Sequence, residues 1–342
     1  MTEIHPKFLI VRLGSLGDVV HAIPAAAALR HAYPGARVDW MVDPRYVELL
    51  NLVESIDARI PVDPRALGGG SERRQLLRTL RELRRTRYDA VIDLQGLLKS
   101  AVLARAAGGA KTLGFPRAHL RERAARLLYT QAPDPGAATH VIHKNLALLA
   151  AVGVSDRRVR FPVNIPRTPI VQAIRERFAG RGFALINPGA AWPNKRWPPD
   201  RFGAIAAAIQ REHGLSSVVL WGPGEERVAA DVVAASASAA ELLPPTTITD
   251  IVGLARSARL MVSGDTGPLH VAAAVGTPIV ALFGPTDAER NGPWAAGDVT
   301  LSRAQQCICH YERQCRRLNR CIDDIGVDDV VDAIRRRMAA HG

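Results

Sequence analysis

Short apolar runs of four to six residues alternate along this chain with longer stretches whose apolar residues return every three or four positions. In the first half the runs are Phe8–Leu13, Arg37–Val42 and Ala90–Leu94; in the second they are Phe183–Asn187, Ser217–Trp221, Leu260–Ser263 and Pro278–Phe283. The intervening stretches include an Ala-rich one running to about His31, then 200–212, 225–236 and 268–275. Runs apolar on both faces predict buried parallel strands, and the 3.6-residue period between them predicts crossover helices. The fold class is therefore α/β, built from βαβ units around doubly wound sheets. Between the halves, residues 155–169 carry Pro162, Pro166 and Pro169 in an extended basic stretch, which predicts a linker. Domains are expected at 1–160 and 161–326. A closing helix, 327–342, begins with Asp328 and Asp329 at its positive end and is expected to pack back on the first domain.

The length of 342 residues fits two such domains, and no apolar run reaches the 18 or so residues of a membrane span. The opening MTEIHPKFLIVRLG has no cationic region before an apolar one, so a cytoplasmic location is expected. Charge changes the picture more. The net charge is +12, and residues 70–130 hold 14 Lys/Arg against 5 Asp/Glu, nine of the twelve excess positive charges. Such clustering predicts an anionic partner: nucleic acid, membrane surface or phosphorylated substrate. In 72–87, Leu76, Leu77, Leu80 and Leu83 fall on one helical face and leave Arg73, Arg74, Arg78, Arg81, Arg84 and Arg85 outward.

Four loops after strands carry candidate chemistry. Gly14-Ser15-Leu16-Gly17-Asp18 follows the first strand. It lacks the third glycine of a dinucleotide fingerprint, and an acidic residue in the turn would repel a pyrophosphate. Asp18 reads either as a base aimed into an interdomain cleft or as a helix cap. Asn187–Pro198 contains Lys195, one of only five lysines against forty arginines, which points to a compact ammonium at a phosphate. Ser263-Gly264-Asp265-Thr266-Gly267-Pro268 opens a helix, where free N–H groups and the Thr266 hydroxyl suit a diphosphate and Asp265 suits Lys195 or a sugar hydroxyl. Gly284–Asp287 is a tight loop suited to a base or ribose. An aspartic protease would need a second Asp-Thr-Gly and strand-rich halves, and neither is present.

The segments GSLGDVVHAIP, NPGAAWPNKRWP and SGDTGPLHVAAAVGTPIVALFGPTD resemble, in order, those of the lipopolysaccharide heptosyltransferases of glycosyltransferase family 9. DLQGLLKSAVLAR and HVIHKN look most like the type I enzymes. The resemblance implies the GT-B fold, two Rossmann-like domains across a cleft. It also implies inverting transfer of L-glycero-D-manno-heptose from ADP-heptose to the Kdo of Kdo–lipid A at the inner membrane, with no cofactor required. By the same resemblance, Asp18 is the catalytic base, and Lys195 contacts the donor diphosphate. Asp265, Thr266, Gly267, His270, Glu225 and Gly17 bind the donor. Arg73, Arg74, Arg78, Arg117 and Arg121 are expected to meet the anionic acceptor and the inner-leaflet surface. Where some relatives have a threonine pair before the lysine, this chain has Ala190-Ala191, so a family 9 enzyme with another donor or acceptor is the alternative.

Cys307, Cys309, Cys315 and Cys321 form C-x-C-x₅-C-x₅-C. Four cysteines so close in a cytosolic protein favour a structural metal over disulfides, but the spacing is not that of paired C-x₂-C zinc sites. Reduced free thiols are the main expectation, and a catalytic metal is not expected. A nucleotide-dependent oxidoreductase is disfavoured by the incomplete fingerprint. A nucleic-acid binder would leave the Lys195 and Asp265 loops without a purpose, and 5% aromatic residues offer few stacking platforms.

Overall fold

The computed structural model describes residues 5–65 and 72–340. It divides into two units, residues 1–164 and 165–342, and the division falls inside the proline-bearing segment. In chain order the first unit contains β1 (Lys7–Val11), α1 (Leu16–Ala32), β2 (Arg37–Val42), α2 (Val47–Asn51), β3 (Ala58–Pro61), α3 (Glu72–Thr86), β4 (Ala90–Asp93), α4 (Leu98–Ala107), β5 (Lys111–Leu113) and α5 (Val141–Leu148). The second contains α6 (Pro169–Arg177), β6 (Phe183–Asn187), α7 (Pro199–His213), β7 (Ser216–Val219), α8 (Glu226–Ala234), β8 (Ala240–Leu242), α9 (Ile248–Ser257), β9 (Leu260–Gly264), α10 (Gly267–Ala274), β10 (Ile279–Phe283), α11 (Ala288–Asn291), β11 (Val299–Ser302) and α12 (Val327–Ala339).

Each unit is built on one all-parallel sheet. The orders are β3-β2-β1-β4-β5 and β11-β10-β9-β6-β7-β8. Every residue of β6, β9 and β10 is buried, as a central strand covered by helices on both faces requires. Local chemistry sets the helix ends. Pro199 opens α7, where its missing N–H costs nothing, and Gly214 closes it at φ 67°. Thr168 caps α6 by accepting the Val171 N–H, so the linker passes directly into a helix.

Two sequence expectations change. The buried face of α12 (Val330, Ala333, Ile334) packs with Ile205 and Ile209 of α7 and with Val280 and Leu282 of β10, so this helix is part of the second unit's core. Its Arg337 pairs with Asp298 at 3.0 Å, just before β11. In α3, Leu76 and Leu83 are buried and Leu80 packs with them, but Leu77 is 44% exposed and stands among the arginines.

Candidate functional site

In a doubly wound sheet, the ligand site lies beyond the carboxyl ends of the two strands where the strand order reverses. In the first unit these are β1 and β4, paired as Val11↔Asp93; in the second they are β6 and β9, paired as Asn187↔Ser263. Three of the four loops singled out in the sequence leave β1, β6 and β9 at these reversal points, and the fourth leaves β10 beside β9.

At the first, Ser15 caps α1 and Asp18 sits in its first turn. The Asp18 carboxylate accepts from the Ser15 N–H at 3.0 Å and from its hydroxyl at 3.1 Å, and it pairs with the Arg12 guanidinium. Asp18 is thus not the N-cap itself but the capping-box partner of Ser15, and its side chain is still 35% exposed. Arg12, which sequence reasoning missed, is buried at the end of β1 and also donates to the Leu94 carbonyl. Its signal was a lone cation ending an apolar strand. The β4 end is fixed by buried Asp93, which accepts from Tyr129 Oη at 2.7 Å, Ser100 Oγ at 2.8 Å and the Gln95 and Gly96 N–H groups. Burial raises the Asp93 pKa, and these four donors offset that only in part. Gln95 in turn accepts the Leu13 N–H at 2.8 Å, tying the two strand ends together. Buried Gly17 lies in the first turn of α1, next to Asp18 in the chain. One turn beyond Asp18, His21 packs edge-on to His140, which adjoins His143 on α5.

The second reversal point gathers more of the expected residues. Asp265 is buried at the end of β9, and its carboxylate is a hub: Oδ1 contacts His270 Nε2 at 3.1 Å and Asn291 Nδ2 at 3.2 Å, while Oδ2 contacts Lys195 Nζ at 2.5 Å and Thr286 Oγ1 at 2.6 Å. Burial would raise its pKa, but the His270 hydrogen bond and the Lys195 and His270 charges outweigh it and hold the carboxyl well below the usual range. Four partners fill the acceptor capacity of one carboxylate. Asp265 therefore orients Lys195, and a sugar hydroxyl would have to displace one of the four. Thr286 of the Gly284–Asp287 loop likewise turns to Asp265, while Asp287 caps α11. Lys195 also lies 4.8 Å from the Trp192 ring centroid. Trp197, two residues on, anchors the loop: it is buried edge-on against Phe202 and donates to the Ile325 carbonyl at 3.0 Å.

Thr266 and Gly267 start α10 beside this hub, and Thr266 Oγ1 accepts from Asn187 Nδ2 at 2.8 Å. Glu225 precedes α8 and accepts the Gly222 N–H at 3.1 Å. It lies so close over the β6 turn that a Cβ on Gly189 would fall 2.0 Å from its Oε2. Gly189→Ala should therefore displace Glu225. If that glutamate holds the donor ribose, the donor KM should rise about tenfold, about 1.4 kcal/mol, with kcat little changed. Steady-state kinetics at saturating acceptor would check this.

Of the basic residues expected at the acceptor, Arg73, Arg74 and Arg78 are exposed along α3, which packs on α4. Arg117 and Arg121 are exposed around the 117–119 turn, next to the 123–128 turn that packs on α4. They share one unit with Asp18. The four cysteines lie apart from both reversal points in sequence. Burial, followed by a hydrogen bond to Cys307 and the nearby Cys307 and Cys315 charges, pushes the Cys321 thiol up to about 12.

The sequence pattern described as glycosyltransferase family 9 (heptosyltransferase) matches residues 76–320. This chain belongs to glycosyltransferase family 9. Membership makes it a glycosyltransferase and accounts for the two-unit GT-B architecture. Among its family 9 relatives, lipopolysaccharide heptosyltransferase 1 of Pseudomonas aeruginosa is 30% identical over 323 residues, 90% of this chain and 87% of that protein. The crystal structure of a family 9 glycosyltransferase from Veillonella parvula matches at TM-score 0.81 and 22% identity, covering 99% of both chains. The Escherichia coli heptosyltransferase WaaC with ADP matches at TM-score 0.73 and 25% identity, covering 90% of this chain and 96% of that one.

Proposed function

We propose that this family 9 enzyme transfers L-glycero-D-manno-heptose from ADP-heptose to the Kdo of Kdo–lipid A, with inversion, during assembly of the lipopolysaccharide core. The observation that carries the reading is the Lys195–Asp265 hub beside the start of α10. A cation fixed by a buried carboxylate, next to the positive N-terminal end of a helix, suits a departing diphosphate. The names of the type 1 relatives and the ADP bound to the Escherichia coli enzyme support the donor and acceptor classes.

In this reading Asp18 takes the proton of the acceptor hydroxyl as its oxygen attacks the anomeric carbon. The bond from that carbon to the diphosphate breaks, and its electron pair leaves on ADP. Inversion requires only one base on the face opposite the leaving group. Lys195 donates to the Asp265 carboxylate at 2.5 Å and, more weakly, to its main-chain carbonyl at 3.5 Å, and its remaining N–H is assigned to the β-phosphate. Arg12 and Ser15 keep the Asp18 carboxylate in place. Glu225 is assigned to the ribose, His270 to holding Asp265 from the side opposite Lys195, and Gly17 to the close packing of the Asp18 turn. The experiment that tests the reading is an assay of purified protein with ADP-heptose and Kdo–lipid A. Formation of ADP and heptosylated lipid supports it, whereas turnover only with another nucleotide sugar assigns another donor.

The acceptor carries carboxylates and phosphates, and so does an anionic leaflet. Among the described residues no helix is long and apolar enough to cross a membrane. The exposed arginines of α3 are therefore assigned to holding the lipid acceptor at a surface, each worth about 1 kcal/mol there. Reversing Arg73, Arg74 and Arg78 together to Glu should raise the acceptor KM and reduce binding to anionic liposomes, with donor affinity unchanged. The effect should fade at high salt, because exposed charges are screened over about 8–10 Å already at physiological ionic strength. A folded triple variant with wild-type acceptor kinetics at low salt would remove the arginines from the acceptor site.

A further inference from the structure

Between β11 and α12 the chain runs through residues 303–326 with only two short 3₁₀ turns, Ala304–Gln306 and Cys321–Asp324. A connection of this length without a helix or strand of its own calls for another source of order. All four cysteines of the protein lie here, and all four are free. Cys307, Cys309 and Cys321 are buried and form a small cluster of their own, with Cys315 half-buried against it. Two sulfurs accept backbone N–H groups: Cys307 Sγ from Cys309 at 3.3 Å and Cys309 Sγ from Arg316 at 2.9 Å. A neutral thiol is a weak acceptor, whereas N–H groups aimed at sulfur are a device that stabilises bound thiolates. Arg313, Arg316, Arg317 and Arg320 supply positive charge within the same stretch.

We propose that Cys307, Cys309, Cys315 and Cys321 bind one thiophilic divalent cation of the Zn²⁺ or Fe²⁺ class as a tetrathiolate structural site. Four thiols release four protons to solvent and form four metal–sulfur bonds, leaving a complex of net charge −2 among the arginines. No redox change is involved. Tetrahedral S₄ coordination selects this class of metal and leaves no open position for catalysis. Among the described residues no three ligating side chains yet surround a common point, so binding closes the cluster by rotating the cysteine side chains.

The place of this loop gives the site its purpose, a step that rests on the function proposed above. Glu312 accepts from Asn194 Nδ2 at 2.8 Å, and Arg320 donates to the Pro193 carbonyl at 3.0 Å, so the cysteine segment backs the two residues before Lys195. A Cβ on Gly284 would meet both the Asn194 carbonyl, at 3.2 Å, and Cys321 Sγ, at 3.5 Å, so the Thr286 loop rests on the same segment. The metal would thus pin the floor of the Lys195–Asp265 hub without touching substrate.

The test uses the full-length protein purified under reducing, oxygen-free conditions. Elemental analysis should find close to one zinc or iron per chain. After removal of that metal, Co²⁺ should bind with one equivalent and give thiolate-to-cobalt charge-transfer bands with the intense visible bands of a tetrahedral site, both bleached by Zn²⁺. Cys309→Ser and Cys321→Ser should each weaken Co²⁺ binding at least tenfold. If those variants fail to fold, the wild-type titration alone decides. Cobalt uptake without thiolate bands, no uptake, or a loss of two hydrogens showing a disulfide in the reduced preparation would each overturn the site. Metal stoichiometry is independent of heptosyl transfer: a metal-loaded protein inactive on ADP-heptose keeps the site and removes only the proposed reaction. Lower ADP affinity in the metal-free protein, restored by Zn²⁺, would support the link to Lys195; equal affinity would overturn that link.

Discussion

Replacing Asp18 by asparagine is expected to lower kcat by about 10²–10⁴, the usual contribution of a positioned general base, while the affinity for ADP stays unchanged. The variant is chosen for its geometry. An asparagine oxygen can still accept the Ser15 N–H, so the capping box at the start of α1 is kept. Alanine would lose that bond as well as the base, and its effect would mix a cap loss of about 1 kcal/mol with the loss of chemistry. Asparagine does lose the charge that pairs with buried Arg12, so thermal unfolding must accompany the kinetics. A variant that unfolds normally and turns over within tenfold of wild type would remove Asp18 as the base.

Lys195→Ala should affect both binding and chemistry. A charge-assisted hydrogen bond to phosphate is worth about 1.5–3 kcal/mol, so ADP affinity should fall at least about tenfold. Turnover should fall further, by about 10²–10³, because the partner of the ammonium gains charge as the bond to ADP breaks. The substitution also leaves the buried Asp265 carboxylate with His270, Thr286 and Asn291 but without its closest cation. Stability should therefore fall too. The pH dependence of that loss has a defined sign. A carboxyl whose folded pKa is depressed stabilises the fold fully above its unfolded value, about pH 4, and loses that contribution as the pH falls below it. The stability gap between wild type and Lys195→Ala should thus be full at neutral pH and narrow in acid. Unfolding midpoints measured at pH 7 and pH 3 would check it, and a gap that widens in acid would reject the pair as a stabilising one.

The central strands and the site loops were legible in the sequence, and the outer strands were not. β1, β2, β4, β6, β7, β9 and β10 announce themselves because strands covered on both faces are built mainly of apolar residues. The four that went unread, β3, β5, β8 and β11, are the edges of the two sheets. They are three or four residues long and, β5 apart, only partly buried, so no apolar run marks them. At the site, spacing identified Lys195 and Asp265 but not how Asp265 spends its oxygens. Asn291, the last residue of α11, and Thr286 reach it from 26 and 21 residues further along the chain. Arg12 is the same kind of case: its partner Leu94 is near only after β1 and β4 pair. The inward reading of Leu77 failed for a simpler reason, because helical periodicity assigns a face but not its width.

Those brief outer strands also govern how copies of the chain meet. An exposed strand edge offers unpaired N–H and C=O groups to any neighbour, and long flat apolar edges invite lateral growth into aggregates. Here each edge is too short to template such growth, and three carry a charge already engaged at home. Arg59 of β3 donates to the carbonyls of Leu50, Val53 and Ile56, Lys111 of β5 to that of Ala151, and Glu241 of β8 pairs with Arg177 at 2.6 Å. Stacking another strand on these rims would mean burying or breaking those pairs. Two wholly parallel sheets, slow to form because their strands pair across long stretches of chain, are thereby shielded at the rims where partly folded copies would otherwise join.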